Sequence, residues 1–467
     1  MQSLYSLLPN INSLLISVEQ SVDCSQYPRT LIKDAINEYL SCIRDKIKNA
    51  IITTPHEVEK LIDSTCITNF VLQAIQPHFK RVINATGIVL HTNAGRAILS
   101  KSATQAVMQA CQYYSNLELD LNTGERGSRY THVESLLCRI TGAESALVVN
   151  NNAAAVLLIL DTLCKGKEVI ASRGQLVEIG GSFRIPDVMK KSGAFLTEVG
   201  TTNRTHLYDY EQAITEQTGA IMKIHTSNFK ISGFTRTVSL EELVLLGKRY
   251  GIPVIDDLGS GSLLSFAQYG LSDEPTVQQA VATGADVISF SGDKVLGGPQ
   301  AGLIVGKKVY IDMIKKNQLT RALRIDKMTL TALEATLRDY LTPETLHLNN
   351  PTIAMITTPP HTLKNKAERL ASLLTMLQSN DIRIKIIEGK SKIGGGSFPE
   401  ETLPTYLIRI HPLTFTAEEG KKKLLTTSIP LLTRIEDNYI LLDVRTLQEE
   451  ELPLVATMIQ ELLEHKS

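Results

Sequence analysis

Apolar residues recur at three- and four-residue spacing through Leu31-Ile32-Ala35-Ile36-Tyr39-Leu40-Ile43 and again at Val58-Leu61-Ile62, the period of amphipathic helices. Pro9, Pro28 and Pro55 each stand where such a helix could begin. Residues 1–75 contain no glycine, and the pattern predicts a small helical unit there. Beyond it the pattern changes to short apolar runs separated by helix-like stretches: 146–149, 168–171, 195–199, 220–224, 253–256 and 286–290. Runs that are apolar throughout are what buried parallel strands need, so residues 76–335 are expected to form an α/β domain around a largely parallel sheet with helices on both faces. The amphipathic run Met328 to Leu341 and the punctuation of Pro343, Pro351, Pro359 and Pro360 lead into strand-like segments near 382–387, 406–410 and 439–442. A last helix is predicted over about Leu452 to Leu463, and residues 336–467 read as a smaller α+β domain with a Gly394-Gly395-Gly396-Ser397 loop inside it.

Composition narrows the class. A chain of 467 residues is too long for a single core. A net charge of -1 excludes broad phosphate binding over the whole surface, though not a local basic patch. Residues 1–80 carry seven Lys and Arg against eight Asp and Glu, so the helical unit announces no ligand by charge. The six cysteines, Cys24, Cys42, Cys66, Cys111, Cys138 and Cys164, show no C-x-x-C spacing, which argues against a metal cluster or a disulfide framework. Without a leader pattern or a run of about twenty apolar residues, the expectation is a cytoplasmic protein with no membrane span.

In such a sheet, ligands collect at the carboxyl ends of the strands, and the polar motifs cluster there. Asn150-Asn151-Asn152 follows one strand, Gly200-Thr201-Thr202-Asn203-Arg204 another, and Asp256-Asp257-Leu258-Gly259 ends a third. Lys294 sits downstream between small-residue turns, in Ser289-Phe290-Ser291-Gly292-Asp293-Lys294-Val295-Leu296-Gly297-Gly298. A lysine that can form a Schiff base and an acid that can keep a pyridine nitrogen protonated are what pyridoxal phosphate requires. The competing nucleotide-binding loop fails, because G-x-x-x-x-G-K-[ST] is absent. Asn151, Asn152 and Ala153 open a helix whose N-terminus could cradle a phosphate, with Ser291 adding a hydroxyl; an Asn-rich helix cap is the alternative role. Of the two adjacent acids, Asp257 is preferred as the nitrogen's partner, since strand side chains alternate faces. Arg173, Gln175 and His225 are all candidates to stack on the ring. Arg321 and Arg324 would share one helical face, suited to gripping an oxyanion.

Five segments together resemble the bacterial L-seryl-tRNA(Sec) selenium transferase, or selenocysteine synthase, family: Arg81 to Arg96, Gly124 to Arg129, Gly174 to Pro186, Val199 to Arg204, and Ser289 to Gly302. The resemblance implies a fold-type-I pyridoxal-phosphate enzyme with Lys294 as the Schiff-base lysine. It implies conversion of L-seryl-tRNA(Sec) to L-selenocysteinyl-tRNA(Sec) through a dehydroalanyl intermediate, with selenophosphate as donor. By the same analogy Arg96, Arg321 and Arg324, with Thr201 and Thr202, form the selenophosphate site. The helical unit then grips the tRNA, and the assembly is a homodecameric ring of dimers. Two rivals differ in kind: a pyridoxal-phosphate lyase or desulfurase acting on a free amino acid, and an RNA-binding protein with a degenerate cofactor site. The former leaves the helical unit without a use, and the intact lysine and aspartate speak against the latter.

Overall fold

The computed structural model describes residues 2–21, 25–176, 178–179, 183–226, 228–271 and 274–464. Cys24 and part of the Gly174 to Pro186 motif (Val177 and residues 180–182) lie outside these. The chain forms two compact units, Met1–Arg81 and Val82–Ser467.

The first unit is helical, built mainly on Ile11–Ser21, Arg29–Lys48, Pro55–Leu61 and Ser64–Ile75. The three- and four-residue spacing turns Ile32, Ala35, Ile36 and Leu40 to one side, where they pack with Leu14, Val18, Ile67 and Val71. Helix starts follow local chemistry. Thr54 and Glu57 make a reciprocal capping box, and Asp63 accepts from the Thr65 N–H at 2.9 Å. The Tyr39 ring lies 4.8 Å from that of Phe70, and its hydroxyl donates to the Leu61 carbonyl at 2.8 Å.

The second unit holds two main sheets. The larger has seven strands in the spatial order Ser145–Val149, Gly302–Gly306, Val287–Ser291, Val254–Gly259, Thr218–Ile224, Glu168–Ser172 and Phe195–Val199. Adjacent strands run parallel except Gly302–Gly306, which is antiparallel to both neighbours. Apolar side chains fill both faces, and the helix Asn152–Leu163 buries Ala154 through Val156 and Leu158 through Leu160 against one of them. The sequence pattern yields six of these strands; it does not separate Gly302–Gly306 from the glycine-rich turn before it.

The smaller sheet orders Arg434–Glu436, Tyr439–Asp443, Ser397–Pro412, Ile382–Gly394 and Ile88–Leu90. Gly394, Gly395 and Gly396 all have positive φ (77°, 64° and 74°) and close its long hairpin as a tight turn. Residues 83–90, which the sequence assigns to the catalytic domain, instead supply strands that pair with this second region. Gly87 shows why small size matters there. Its φ is +74°, and a Cβ would lie 1.8 Å from Oδ2 of the fully buried Asp443.

Candidate active site

The strand Val287–Ser291 leads directly into the lysine loop, which is fixed on every side. Gly292 N–H donates to the Ala301 carbonyl at 2.9 Å, Gly298 N–H to the Gly292 carbonyl at 2.9 Å, and Val295 N–H to the Ser260 carbonyl at 3.3 Å. Asn350 Nδ2 and the Tyr340 hydroxyl both donate to the Leu296 carbonyl, at 3.0 and 2.8 Å. A lysine on such a loop is held in place before any ligand arrives.

Asp257 and Asp256 leave their strand on opposite faces. Asp257 is buried and accepts from Asn152 Nδ2 at 2.9 Å and Ser289 Oγ at 3.1 Å. Burial raises its pKa, while Asn152, Lys294 and Ser289 favour the charged form. Asp256 shares its face with Lys223, the neighbour in register on the next strand. Burial pushes Asp256 up to about 7, against the pull of Lys223. Lys294 itself is lowered, first by burial; Arg96 adds to the effect, and Asp257, Asp293 and Glu274 oppose it. An amine in that setting keeps an accessible lone pair, the property a nucleophilic lysine needs.

Arg96 reaches the same centre. It follows Gly95 in a left-handed conformation, φ 62°, which costs roughly 1–3 kcal/mol for a residue with a Cβ. Its guanidinium pairs with Asp293 at 2.8 Å, and Asp293 is the residue beside Lys294.

Asn151 caps the helix Asn152–Leu163, its Oδ1 accepting from Ala154 N–H at 2.8 Å. The side chain therefore takes the capping role, and the next residue, Asn152, links the start of the helix to Asp257. The loop can lie there because residue 302 is glycine. A Cβ on it would sit 2.0 Å from the Asn151 carbonyl oxygen. Asn152 Oδ1 and His225 Nδ1 are buried without a hydrogen-bond partner. His225 N–H donates to the Asp257 carbonyl at 2.9 Å, and its Nδ1 stands 3.5 Å from Glu274 Oε1. Gln175 and Arg173 are otherwise engaged. Gln175 Oε1 accepts from Ile224 N–H at 3.0 Å, whereas Arg173 pairs with Glu198 at 3.0 Å and donates to the Gly200 carbonyl.

Arg321 and Arg324 line a cavity of about 350 Å³ with Arg126, Arg129, Lys315, Lys316 and Glu118. They do not share a helix. The short helix Leu319–Ala322 ends before Arg324, because the Leu323 carbonyl accepts from Asn150 N–H at 3.0 Å and Arg324 bridges to Val149. That pairing sets the arginine cavity beside the Asn150 loop. Glu118 takes Arg129 at 3.0 and 2.5 Å and Arg324 at 3.4 Å, and the Arg129 hydrogen bond holds its carboxyl below the usual range. Arg96 is not among the residues lining this cavity. Thr201 spends its hydroxyl inside its own turn, donating to the Arg204 carbonyl at 3.0 Å. Thr202 lines a different cavity, with His225.

Glu274, Asp293 and Glu118 are absent from the sequence-derived site. Adjacency to Lys294 could have flagged Asp293; nothing local distinguishes Glu274 or Glu118 from other surface acids. Among the described residues, no group of three or more His, Cys, Asp and Glu could hold a metal ion, and no helix is long and apolar enough to cross a membrane.

A half-buried lysine beside a buried strand-end aspartate, an asparagine-rich helix start, and Asn152 Oδ1 buried without a partner fit pyridoxal phosphate. Fold and site define a fold-type-I pyridoxal-phosphate enzyme. One solved structure of similar fold, a D-glucosaminate-6-phosphate ammonia-lyase, aligns over 85% of this chain and 98% of its own at a TM-score of 0.56 and 21% identity. The family model for L-seryl-tRNA selenium transferase matches residues 82–448, beginning where the second compact unit begins. Relatives called L-seryl-tRNA(Sec) selenium transferase include one from Maridesulfovibrio salexigens, 56% identical over 99% of this chain and 100% of its own. Another, from Clostridium botulinum (strain Okra / Type B1), is 50% identical over 98% of each chain. The chain belongs to the L-seryl-tRNA selenium transferase family.

Proposed function

We propose that this enzyme converts L-seryl-tRNA(Sec) to L-selenocysteinyl-tRNA(Sec), with selenophosphate as selenium donor, in the cytoplasm. The observation that carries the reading is the half-buried Lys294 beside the buried Asp257, in a chain that relatives called L-seryl-tRNA(Sec) selenium transferase match from end to end.

When bound, pyridoxal phosphate supplies a carbonyl for covalent attachment and an electron sink that acidifies the Cα–H of an attached amino acid. Asp257 holds a proton on the pyridine nitrogen, fixed in place by Asn152 and Ser289. The N–H groups opening the helix Asn152–Leu163, with the Ser291 hydroxyl, would hold its phosphate. Of the three ring-stacking candidates, Gln175 and Arg173 are engaged elsewhere, and His225 would stack on the ring, with its Nδ1 against Glu274. Lys294 Nζ takes the proton from the serine Cα, which allows the β-hydroxyl to leave. Arg321 and Arg324 bind the selenophosphate oxyanion in their cavity, and Arg96, held by Asp293 beside Lys294, would meet it on the lysine side.

The helical unit, residues 1–75, is the tRNA-gripping part in this proposal, and the enzyme works as a homo-oligomer. Supporting the latter, Tyr113, Tyr114, Leu119 and Leu121 are exposed around an open cavity of about 780 Å³, an apolar surface that a second copy would cover.

The test is incubation of the cofactor-loaded enzyme with selenophosphate and either seryl-tRNA(Sec) or free serine, followed by identification of the amino acid on the tRNA. Selenocysteine on the tRNA is the expected product. Turnover of free serine alone would sink the reading in favour of an amino-acid lyase.

A further inference from the structure

Asn350 lies between the lysine loop and a short helix, and its amide serves both. Nδ2 donates to the Leu296 carbonyl at 3.0 Å and to the Gly297 carbonyl at 3.3 Å, while Oδ1 accepts from the N–H groups of Thr352 and Ile353 at 3.1 and 3.2 Å. The second pair of bonds caps the helix Pro351–Thr357. The side chain is fully buried, and a Cβ on Gly297, whose φ is +71°, would lie 2.3 Å from Asn350 Oδ1. Gly297 N–H in turn donates to the Lys294 carbonyl at 2.9 Å, so Asn350 grips the main chain one hydrogen bond away from the lysine.

Arg445, only 3% exposed, holds the other end of that helix. Its Nη1 donates to the carbonyls of Met355, Ile356 and Thr358 at 2.6, 3.4 and 3.3 Å, and its Nη2 to the Pro404 carbonyl at 2.6 Å. Carbonyls at a helix C-terminus lack intrahelical partners, and a cation is favoured there. Arg445 Nε donates to Ser391 Oγ at 3.2 Å, and that hydroxyl donates to Oδ2 of the fully buried Asp443 at 2.8 Å. A helix capped at one end and forked at the other is a strut between the second sheet and the lysine loop.

The same cluster reaches the site by a second route. Asp443 N–H donates to the Ala85 carbonyl at 2.9 Å, and Gly87 lies against the Asp443 carboxyl. The strand Ile88–Leu90 then leads to His91, whose carbonyl accepts from Arg96 N–H at 3.1 Å, and Arg96 pairs with Asp293 at 2.8 Å. Lys294 is thus braced from both sides, through Asp293 before it and through Leu296 and Gly297 after it.

Resting on the role given to Lys294 in the proposed function, we infer that Asn350 is a positioning residue for Lys294. It acts through the main chain of Leu296 and Gly297, and carries the placement of the Arg445 cluster to the lysine along the helix Pro351–Thr357.

The test is hydrogen–deuterium exchange of the full-length holoenzyme, resolved by peptide, for the wild type, Asn350→Ser and Arg445→Lys. Serine keeps a helix-capping oxygen but is too short to reach the two carbonyls. Lysine keeps the charge near Asp443 but loses the fork that grips several carbonyls at once. Asn350→Ser should speed exchange over residues 292–301 about tenfold while residues 351–357 stay protected. It should also lower kcat about tenfold at an unchanged KM for seryl-tRNA(Sec). Arg445→Lys should speed exchange over both segments. Wild-type protection of the lysine loop in either variant overturns the inference, as does a loosened loop at unchanged kcat. An equal rise across the whole second unit, the mark of a merely less stable fold, overturns it too. If circular dichroism shows that Asn350→Ser does not fold, Arg445→Lys decides by the same readout. Exchange is independent of the substrate, so a wild-type enzyme that turns over no seryl-tRNA(Sec) defeats the proposed function and not the brace on Lys294.

Discussion

Asn152 Nδ2 donates to Oδ1 of Asp257 across 2.9 Å, linking the start of the helix Asn152–Leu163 to the acid at the end of a central strand. Two segments far apart in sequence, both assigned to the cofactor in the proposed function, are thereby joined by a direct contact. Asp257→Asn should lower the turnover number by on the order of 10²–10⁴-fold, since it removes the partner that keeps the pyridine nitrogen protonated. Asn152→Ala leaves Ser289 on Asp257 and should cost only about 10-fold. Steady-state kinetics with seryl-tRNA(Sec) check both; equal losses would mean that Asn152 acts on more than Asp257.

Lys294→Ala should abolish both turnover and the visible absorbance of lysine-bound cofactor. An active, yellow variant would remove Lys294 from the centre of the site.

Gly302 permits the close approach of the Asn151 backbone, and a Cβ 2.0 Å from that carbonyl oxygen forces the loop to move. Gly302→Ala should keep the fold, seen by circular dichroism, and weaken cofactor binding about tenfold or more. Unchanged affinity in a cofactor titration would show that the loop absorbs the methyl group.

The arginine cavity predicts a split between steps. Arg321→Ala or Arg324→Ala should raise the selenophosphate KM by about tenfold while exchange of the serine Cα proton with solvent continues. Equal loss of both steps would make these arginines structural. Glu118→Gln weakens the anchor of Arg129 and Arg324, so it should shift the same KM in the same direction by a smaller factor.

Asp256 makes stability depend on pH. Its carboxyl has an ordinary value of 3.8 and is raised by burial to about 7. Because the folded value is the higher one, the native state binds the extra proton between them, and stability falls as pH rises through that window. Asp256→Asn should therefore lose less stability between about pH 4 and about pH 7, by on the order of 2 kcal/mol. Urea midpoints across the window measure it, repeated in a Lys223→Met background to remove the partner's own titration. An identical pH slope with and without Asp256 would refute the assignment.

Periodicity alone determined much of this protein. The helices of residues 1–75 and the six strands are local patterns that tertiary packing uses, although Phe195–Val199, at the sheet edge, stays largely exposed. Lys294 and the Asp256-Asp257 pair were legible as well, because the lysine loop and the strand end are contiguous in sequence. Strand alternation even separates the two acids, although their partners, Asn152 and Ser289 on one side and Lys223 on the other, come from elsewhere in the chain.

Tertiary structure decided what depends on long-range pairing. Gly302–Gly306 is a strand because Val149 and Ser291 lie on either side of it; Ile88–Leu90 joins the second sheet because Ile382–Gly394 receives it, and Ile83–Asn84 pairs with Leu431–Leu432. Arg324 leaves its helix because Leu323 pairs with Asn150, a competition that no helical spacing reveals. Glu274 and Glu118 are distinguished only by what surrounds them: burial beside His225 and the fork of Arg129. Sequence fixes what each residue can do chemically; the desolvation and neighbours that select one role among many exist only once the chain has folded.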